Sequence, residues 1–277
     1  MIRIITDTSA LYTPQEAEAM GLGVVPLSVT INNKTYREFV EINADEYMDL
    51  INQGHVPASS QPAIGEMVEM FEKYIDDEII VISVADGLSG AYSSWSSAVE
   101  ISNHPKITVI NSTTLAYPQR YLVDEALKMR DNDASFDDIV AMIEDKISIN
   151  KSYLIPTDLG FLKRGGRLTP VAASMAGLLK LQPVVVQTDD GRTIEKFAVA
   201  RNMNIAVKKV LEDLEHHGIN SKFKFGIVHS QFIDKAHEIA EKIKEKFNVD
   251  YVEILELSCA FITHGGPQCL AIQVIKE

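Results

Sequence analysis

Apolar positions follow two different rhythms along this chain. The segments IRIITDTS, EIIVISVA and KITVINS carry β-branched runs with little alternation, the pattern of strands buried on both faces. Between them, IGEMVEMFEKYI sets Ile64, Met67, Val68, Phe71 and Ile75 on one helical face, and AYSSWSSAVEIS reads as a further helix. Strand, helix, strand in that order predicts a parallel sheet with right-handed crossovers. Pro14 opens a helix, PQEAEAMG, that closes at Gly21. VVPLSVTI and TYREF around an NNK turn predict a strand pair, with Pro26 demoting the first strand to an edge or bulge. ADEYMDLINQ, YLVDEALKMR and FDDIVAMIEDKI supply the remaining helices of this half.

From NKSYLIPTD the rhythm changes. QPVVVQTDDGRTIEKFAVA reads as two strands around a DDG turn. The helix NIAVKKVLEDLEHH, the strand KFKFGIVHS, the helix KAHEIAEKIKEKF and the strands VDYVEILEL and LAIQVI follow. The expected architecture is therefore α/β with two domains. Residues 1–151 form a parallel-sheet domain, and residues 152–277 form an α/β domain with a mixed or antiparallel sheet.

Composition narrows the function classes. The net charge of −13 over 277 residues supplies no basic stripe for nucleic acid and opposes adsorption to anionic membranes. No apolar stretch approaches the ~20 residues that span a bilayer, so no stable membrane insertion is expected. Two cysteines, Cys259 and Cys269, are too few for a secreted disulfide framework, which points to the cytoplasm.

Candidate chemistry concentrates in four segments. No phosphate-binding P-loop or dinucleotide fingerprint is present, and GLGVVP lacks the third glycine and the helix that a fingerprint needs. The cysteines lack metal-ligand spacing, and the adjacent His216 and His217 diverge on a helix, so no metal site is expected. HVPASSQP holds Ser59 and Ser60 in a loop stiffened by Pro57 and Pro62. DGLSGAYSS sets Ser89 at a strand-to-helix turn, where ligands collect at the ends of parallel strands; a capping role for this serine is equally compatible. FLKRGGRLT gathers Lys163, Arg164 and Arg167 around Gly165 and Gly166, a donor set for phosphate or carboxylate, against the alternative of a solvated basic turn. THGGPQC places His264 before two glycines and a proline, so that a conformationally special loop follows it. His229, at a strand end, reads as structural. VAASMAGLLKLQPVVV reads as core or as the wall of an apolar pocket.

Ser59, Ser60, Ser89, His264 and Arg167 are all donors, and no acid–base pair stands among them. Such a set suits holding an anion more than transforming a substrate. A serine hydrolase or acyltransferase acting on lipid-like esters through Ser89 and His264 is the alternative. Ala91 stands where the nucleophile elbow needs its second glycine, and no acid is marked to orient the histidine. A phosphate-ligand protein centred on Lys163, Arg164 and Arg167 is a third reading.

The ordered set IITDTSA, VVPLSV, PASSQP with GEM, VADGLSGAY, FLKRGGRLT, LLKLQPVVV with DGR, and THGGP resembles the DegV family of bacterial fatty-acid-binding proteins along nearly the whole chain. The resemblance implies a two-domain α/β carrier that binds a long-chain fatty acid, with no catalysis and no cofactor besides that ligand. It implies that Ser59, Ser60, Ser89 and His264 hold the carboxylate. It further implies a separate ATP-dependent fatty acid kinase as partner, forming an acyl phosphate for phospholipid synthesis, with Arg167 and Arg201 near the mouth. The chain departs from the family pattern at Ser59 and Ala91, where threonine is usual, and at Gln268, where glycine is. It departs also at NSTTLAYPQ, through Asn111, Leu115, Tyr117 and Pro118.

Overall fold

The computed structural model describes residues 1–175 and 181–277. They divide into two compact units, Met1–Ser148 with Ser258–Ala260, and Ile149–Leu257 with Phe261–Glu277.

The first unit runs β1 (Ile2–Asp7), a 3-10 turn (Thr8–Ala10), α1 (Pro14–Ala19), β2 (Gly23–Val25), β3 (Ser28–Ile31), β4 (Lys34–Arg37), α2 (Ala44–Asn52) and β5 (Ala58–Ser60). It continues with α3 (Ile64–Lys73), β6 (Glu78–Ser83), α4 (Ala91–Ser102), β7 (Ile107–Asn111), α5 (Tyr117–Asp131) and α6 (Phe136–Ile147). Its main sheet has the order β2-β1-β6-β7 and is parallel throughout. A smaller antiparallel sheet has the order β4-β3-β5. Helices α4 and α5 both pack on β6, which explains why that strand needs no polar face. Trp95 of α4 lies against Phe71 of α3 with ring centroids 5.6 Å apart, and both are fully buried with Met67, Val81 and Ile79.

Local chemistry sets the element ends. Thr13 closes a capping box with Glu16, and Asn43 closes another with Glu46 at the start of α2. Pro26 does more than demote a strand: it separates β2 from β3, which belong to different sheets. Two expectations change here. Met67 and Phe71 are buried, but Ile64 and Ile75 are 39% and 44% exposed, because α3 stops at Lys73 and its first turn faces solvent. The segment PASSQP is not simply a loop, since Ala58–Ser60 pairs with β3.

The second unit contains β8 (Asn150–Ile155), α7 (Leu159–Gly165), α8 (Pro170–Ala173), β9 (Gln182–Gln187), β10 (Ile194–Ala200), α9 (Met203–His216), β11 (Phe223–His229), α10 (Ile233–Phe247), β12 (Glu253–Glu256) and β13 (Leu270–Lys276). The short helix α11 (Cys259–Gly265) begins in residues assigned to the first unit. The sheet order is β10-β9-β8-β13-β11-β12, with only β11 and β12 parallel. This is an α/β protein with a parallel sheet in one unit and a mixed sheet in the other. A core of Tyr153, Val207, Leu214, Phe225, Ile239 and Ile272 fills the space between this sheet and α9 and α10. Of the segment read as a pocket wall, residues 176–180 lie outside the described residues; Ala172, Met175 and Val185 pack with Leu159 and Leu162.

Candidate functional site

The carboxyl end of β1 buries Asp7, Thr8 and Ser9. Asp7 Oδ1 accepts the Ser9 amide at 3.0 Å and the Ser9 hydroxyl, and Trp95 Nε1 donates to Asp7 Oδ2 at 3.4 Å. Gln119 Nε2 donates to Thr6 Oγ1 at 3.1 Å and the Ile82 carbonyl at 3.3 Å, tying α5 to the sheet. Burial raises the Asp7 carboxyl above its usual range, against the pull of its donors. Glu38, 1% exposed, follows β4. It accepts the Thr8 hydroxyl and the Ala260 amide, the latter at 2.7 Å. Burial pushes its carboxyl up to about 7, with the nearby Asp7 adding to the rise and the hydrogen bonds from Thr8 and Ala260 opposing it. Nothing in the local sequence marks Glu38, since its partner Ala260 lies 222 positions away.

Ser59 stands opposite Val29 and Ser60 opposite Ser28, so their side chains leave opposite faces of β5. Ser59 is half-buried and Ser60 exposed. The next residue, Gln61, lies against the turn that holds Ser89: a Cβ built on Gly90 would stand 3.3 Å from Gln61 Oε1. The β5 segment and the Ser89 turn are thus neighbours within the first unit. Ser89 Oγ accepts the Ala91 amide at 3.2 Å, so it does serve the start of α4. That bond uses an oxygen lone pair and leaves the hydroxyl proton to donate elsewhere.

In the second unit, FLKRGGRLT and THGGP come together. His264 lies in the last turn of α11, just before the glycine turn, and Lys163 and Arg164 lie in α7, not in a turn. A Cβ on Gly165 would stand only 2.3 Å from His264 Nδ1. One on Gly266, at φ +75°, would stand 2.6 Å from the Phe161 ring. These two glycines let α7 and the end of α11 close on each other. Burial, then the Arg167 charge, lowers the His264 imidazole to about 4, so it is neutral at neutral pH. Arg167, half-buried, donates from Nη1 to the Gly165 carbonyl. Arg164 stacks over Phe161 at 4.5 Å, while Lys163 and Arg201 are exposed. The Arg167 carbonyl accepts the Ile194 amide at one end of β10, and Arg201 follows the other end. The strand separates them by roughly 20 Å. His229 is buried at the end of β11; its Nδ1 accepts the Phe232 amide at 3.3 Å, and burial lowers its pKa.

Among the described residues, no group of three or more histidines, cysteines and acids could hold a metal ion, and no helix is long and apolar enough to cross a membrane. Cys259 and Cys269 are buried thiols outside any disulfide among the described residues, and burial pushes Cys269 up to about 12.

A family model described as "uncharacterised protein, DegV family" matches residues 1–277. The chain belongs to the DegV family. A DegV domain-containing protein of Halalkalibacterium halodurans is 30% identical over 271 residues, covering 96% of this chain and 95% of the relative. Among solved structures, a fatty acid binding DegV family protein from Streptococcus agalactiae matches with a TM-score of 0.89 and 26% identity, over 100% of this chain and 99% of that one. DegV from Bacillus subtilis, a fatty acid binding protein, matches with a TM-score of 0.86 and 26% identity over the same shares. A fatty-acid-binding relative from Thermus thermophilus, at 22% identity and a TM-score of 0.90, shares the fold over 100% and 99% of the two chains.

Proposed function

We propose that this DegV protein binds a long-chain fatty acid. Its carboxylate is held by the hydroxyls of Ser59, Ser60 and Ser89 and by His264, and the acid is presented to an ATP-dependent fatty acid kinase. The observation that carries this reading is the state of His264. It is a half-buried imidazole seated by Gly165, held neutral first by its withdrawal from water and then by the Arg167 charge. A neutral imidazole offers one N–H and a serine one O–H, which suits an oxyanion that must be bound and later released. The fatty-acid-binding relatives at 26% identity support the ligand class. The acyl chain supplies most of the affinity, at ~0.8 kcal/mol per buried CH₂, and the donors select for an acid. Ser59, the more buried of the pair, contributes more than Ser60. Lys163, Arg164 and Arg201, exposed on a chain of net charge −13, are the surface offered to the kinase and its nucleotide.

Hydrolysis through Ser89 and His264 is the weaker reading. The Ser89 oxygen already accepts an amide, and an imidazole lowered to about 4 is a poor general base at neutral pH.

Native mass spectrometry of the purified protein, followed by denaturation and solvent extraction, tests the proposal. A stoichiometric fatty acid, released on denaturation, is the expected result. A protein that carries none and takes up none from an added mixture would overturn it, and covalent labelling of Ser89 by a fluorophosphonate would favour the hydrolase.

A further inference from the structure

Glu38 has the features of a device rather than of a filler. It is a carboxyl group 1% exposed, and among the described residues it forms no salt bridge. The cation next to it in sequence, Arg37, pairs outward with Glu41 and Glu66. The charged and titratable groups that act at Glu38 are Asp7 from the end of β1 and the Cys259 thiol on α11, and Glu46 of α2 acts on that same thiol. None of these compensates a negative charge. What Glu38 does hold is the backbone: its Oε2 accepts the Ala260 amide at 2.7 Å. Its Oε1 meets the Thr8 hydroxyl, whose oxygen accepts the Leu27 amide at 2.9 Å. Ser258–Ala260 is the one stretch from late in the chain that belongs to the first unit, and Glu38 is the side chain that grips it. Ala260 is the second residue of α11, and the same seven-residue helix carries His264 in its last turn.

We propose that Glu38 is a proton-controlled anchor of the first turn of α11, firm when its carboxyl is neutral and loosened when it ionises. The physical reason is desolvation. A neutral carboxyl satisfies the Ala260 amide through its carbonyl oxygen and can donate its proton to Thr8. An ionised one stays buried only at the cost of its hydration. Ionisation therefore favours an opening in which Glu38 reaches water and Ala260 is released. The sign follows from linkage. The group is held above its ordinary value of 4.5, at about 7, so the anchored state binds the proton more tightly than the open one. Anchoring is strongest below the ordinary value and weakens as pH rises to the folded value. This runs opposite to a salt-bridged carboxylate, whose contribution is lost in acid. Glu38 is thus a positioning residue for His264, and, on the fatty-acid reading above, ligand retention is tuned by pH.

The test is amide hydrogen exchange at Ala260 from pH 5 to 7.5, corrected for the intrinsic rate, in the wild type and in Glu38→Gln. Glutamine imitates the neutral acid. The wild-type opening constant should rise on the order of 50-fold over that range, and the variant should stay flat and protected. Asp7→Asn, which removes the neighbouring negative charge, should move the wild-type transition to lower pH and keeps the test decisive if Glu38→Gln does not fold. Identical exchange profiles in the wild type and Glu38→Gln, or a transition unmoved by Asp7→Asn, would overturn the anchor. Oleate release rates, measured in parallel, should rise with pH in the wild type alone. Flat release rates beside the expected exchange profile would leave the anchor standing and overturn the role of His264 in holding the ligand.

Discussion

The two units bury titratable groups in opposite ways. In the first, Asp7 and Glu38 are acids sunk among neutral donors, and both are raised above their ordinary values. In the second, the buried His229 and the half-buried His264 are bases withdrawn from water, and both are lowered. Every one of these groups is pushed toward its neutral form, but the first unit gains stability from acid and the second loses it. The means also differ. Glu38 is held by hydrogen bonds that a change of charge can disturb, whereas His264 is seated in the space that the missing Cβ of Gly165 leaves, which a change of shape can disturb. The first unit should therefore be probed with isosteric substitutions and the second with steric ones.

The largest effect is expected at Gly266. Replacing it with alanine demands a side chain at φ +75° and drives a Cβ to 2.6 Å from Phe161. Unfolding of the second unit should become easier by about 2–4 kcal/mol, combining the left-handed penalty with overpacking. A thermal midpoint unchanged from wild type would show that the closure of α7 on α11 is loose.

The opposed pH signs come next. His264, at about 4 against an ordinary 6.5, contributes stability that is present above pH 6.5 and lost as pH falls toward 4. Glu38, at about 7 against 4.5, contributes in the reverse sense. Each contribution is about 3 kcal/mol, since every tenfold change in proton affinity is worth ~1.4 kcal/mol. In the wild type the two slopes offset each other between about pH 5 and 6.5. Glu38→Gln should expose the histidine slope, making the protein lose stability more steeply in acid. His264→Ala should expose the carboxyl slope, making stability fall as pH rises. Denaturant titrations at four or five pH values separate these outcomes, and parallel profiles in all three proteins would break the comparison.

Gly165→Ala is expected to act on binding more than on folding. The Gly165 backbone does not require a positive φ, so alanine is tolerated there, but its Cβ displaces His264. Fatty-acid affinity should fall roughly 10- to 100-fold, the value of a hydrogen bond to a charged group at about 1.5–3 kcal/mol. The double variant with His264→Ala should be no weaker than either single one. Additive losses would mean that Gly165 acts on something else.

The smallest effect separates the two serines. Ser59→Ala should weaken fatty-acid binding several-fold, and exposed Ser60→Ala less. Equal losses would show that the opposite-face geometry of β5 does not govern the contact.

The β-branched runs made β1, β6 and β7 readable, because strands buried on both faces need no polar alternation and so stand out. Helix α5 was readable only from Tyr121, because Pro118 and the aromatic Tyr117 at its start look like a loop until the tolerance of proline in a first helical turn is applied. Helices α7 and α11 were not readable. Each is seven residues long, too short for a face to repeat, and each ends on glycine. Strand β5 exists only because β3 pairs with it, a partner about thirty positions away that no local pattern names. The glycine pair in FLKRGGRLT was legible as a place of close approach, but what approaches it, His264, is a tertiary fact. Glu38 stands in TYREF, which reads only as a strand, and its burial depends on a segment from the far end of the chain.

Donors that recognise a carboxylate are central to the proposed function, so the most direct measurement compares an acid with an ester. Affinities for oleic acid and methyl oleate should be determined for the wild type, Ser89→Ala and His264→Ala. The two ligands share a tail and differ in the head. The wild type should prefer the acid by at least roughly tenfold, and each variant should lose most of that preference while binding the ester as before. Equal affinity of the wild type for acid and ester, or a preference that survives both substitutions, would contradict carboxylate recognition by these residues.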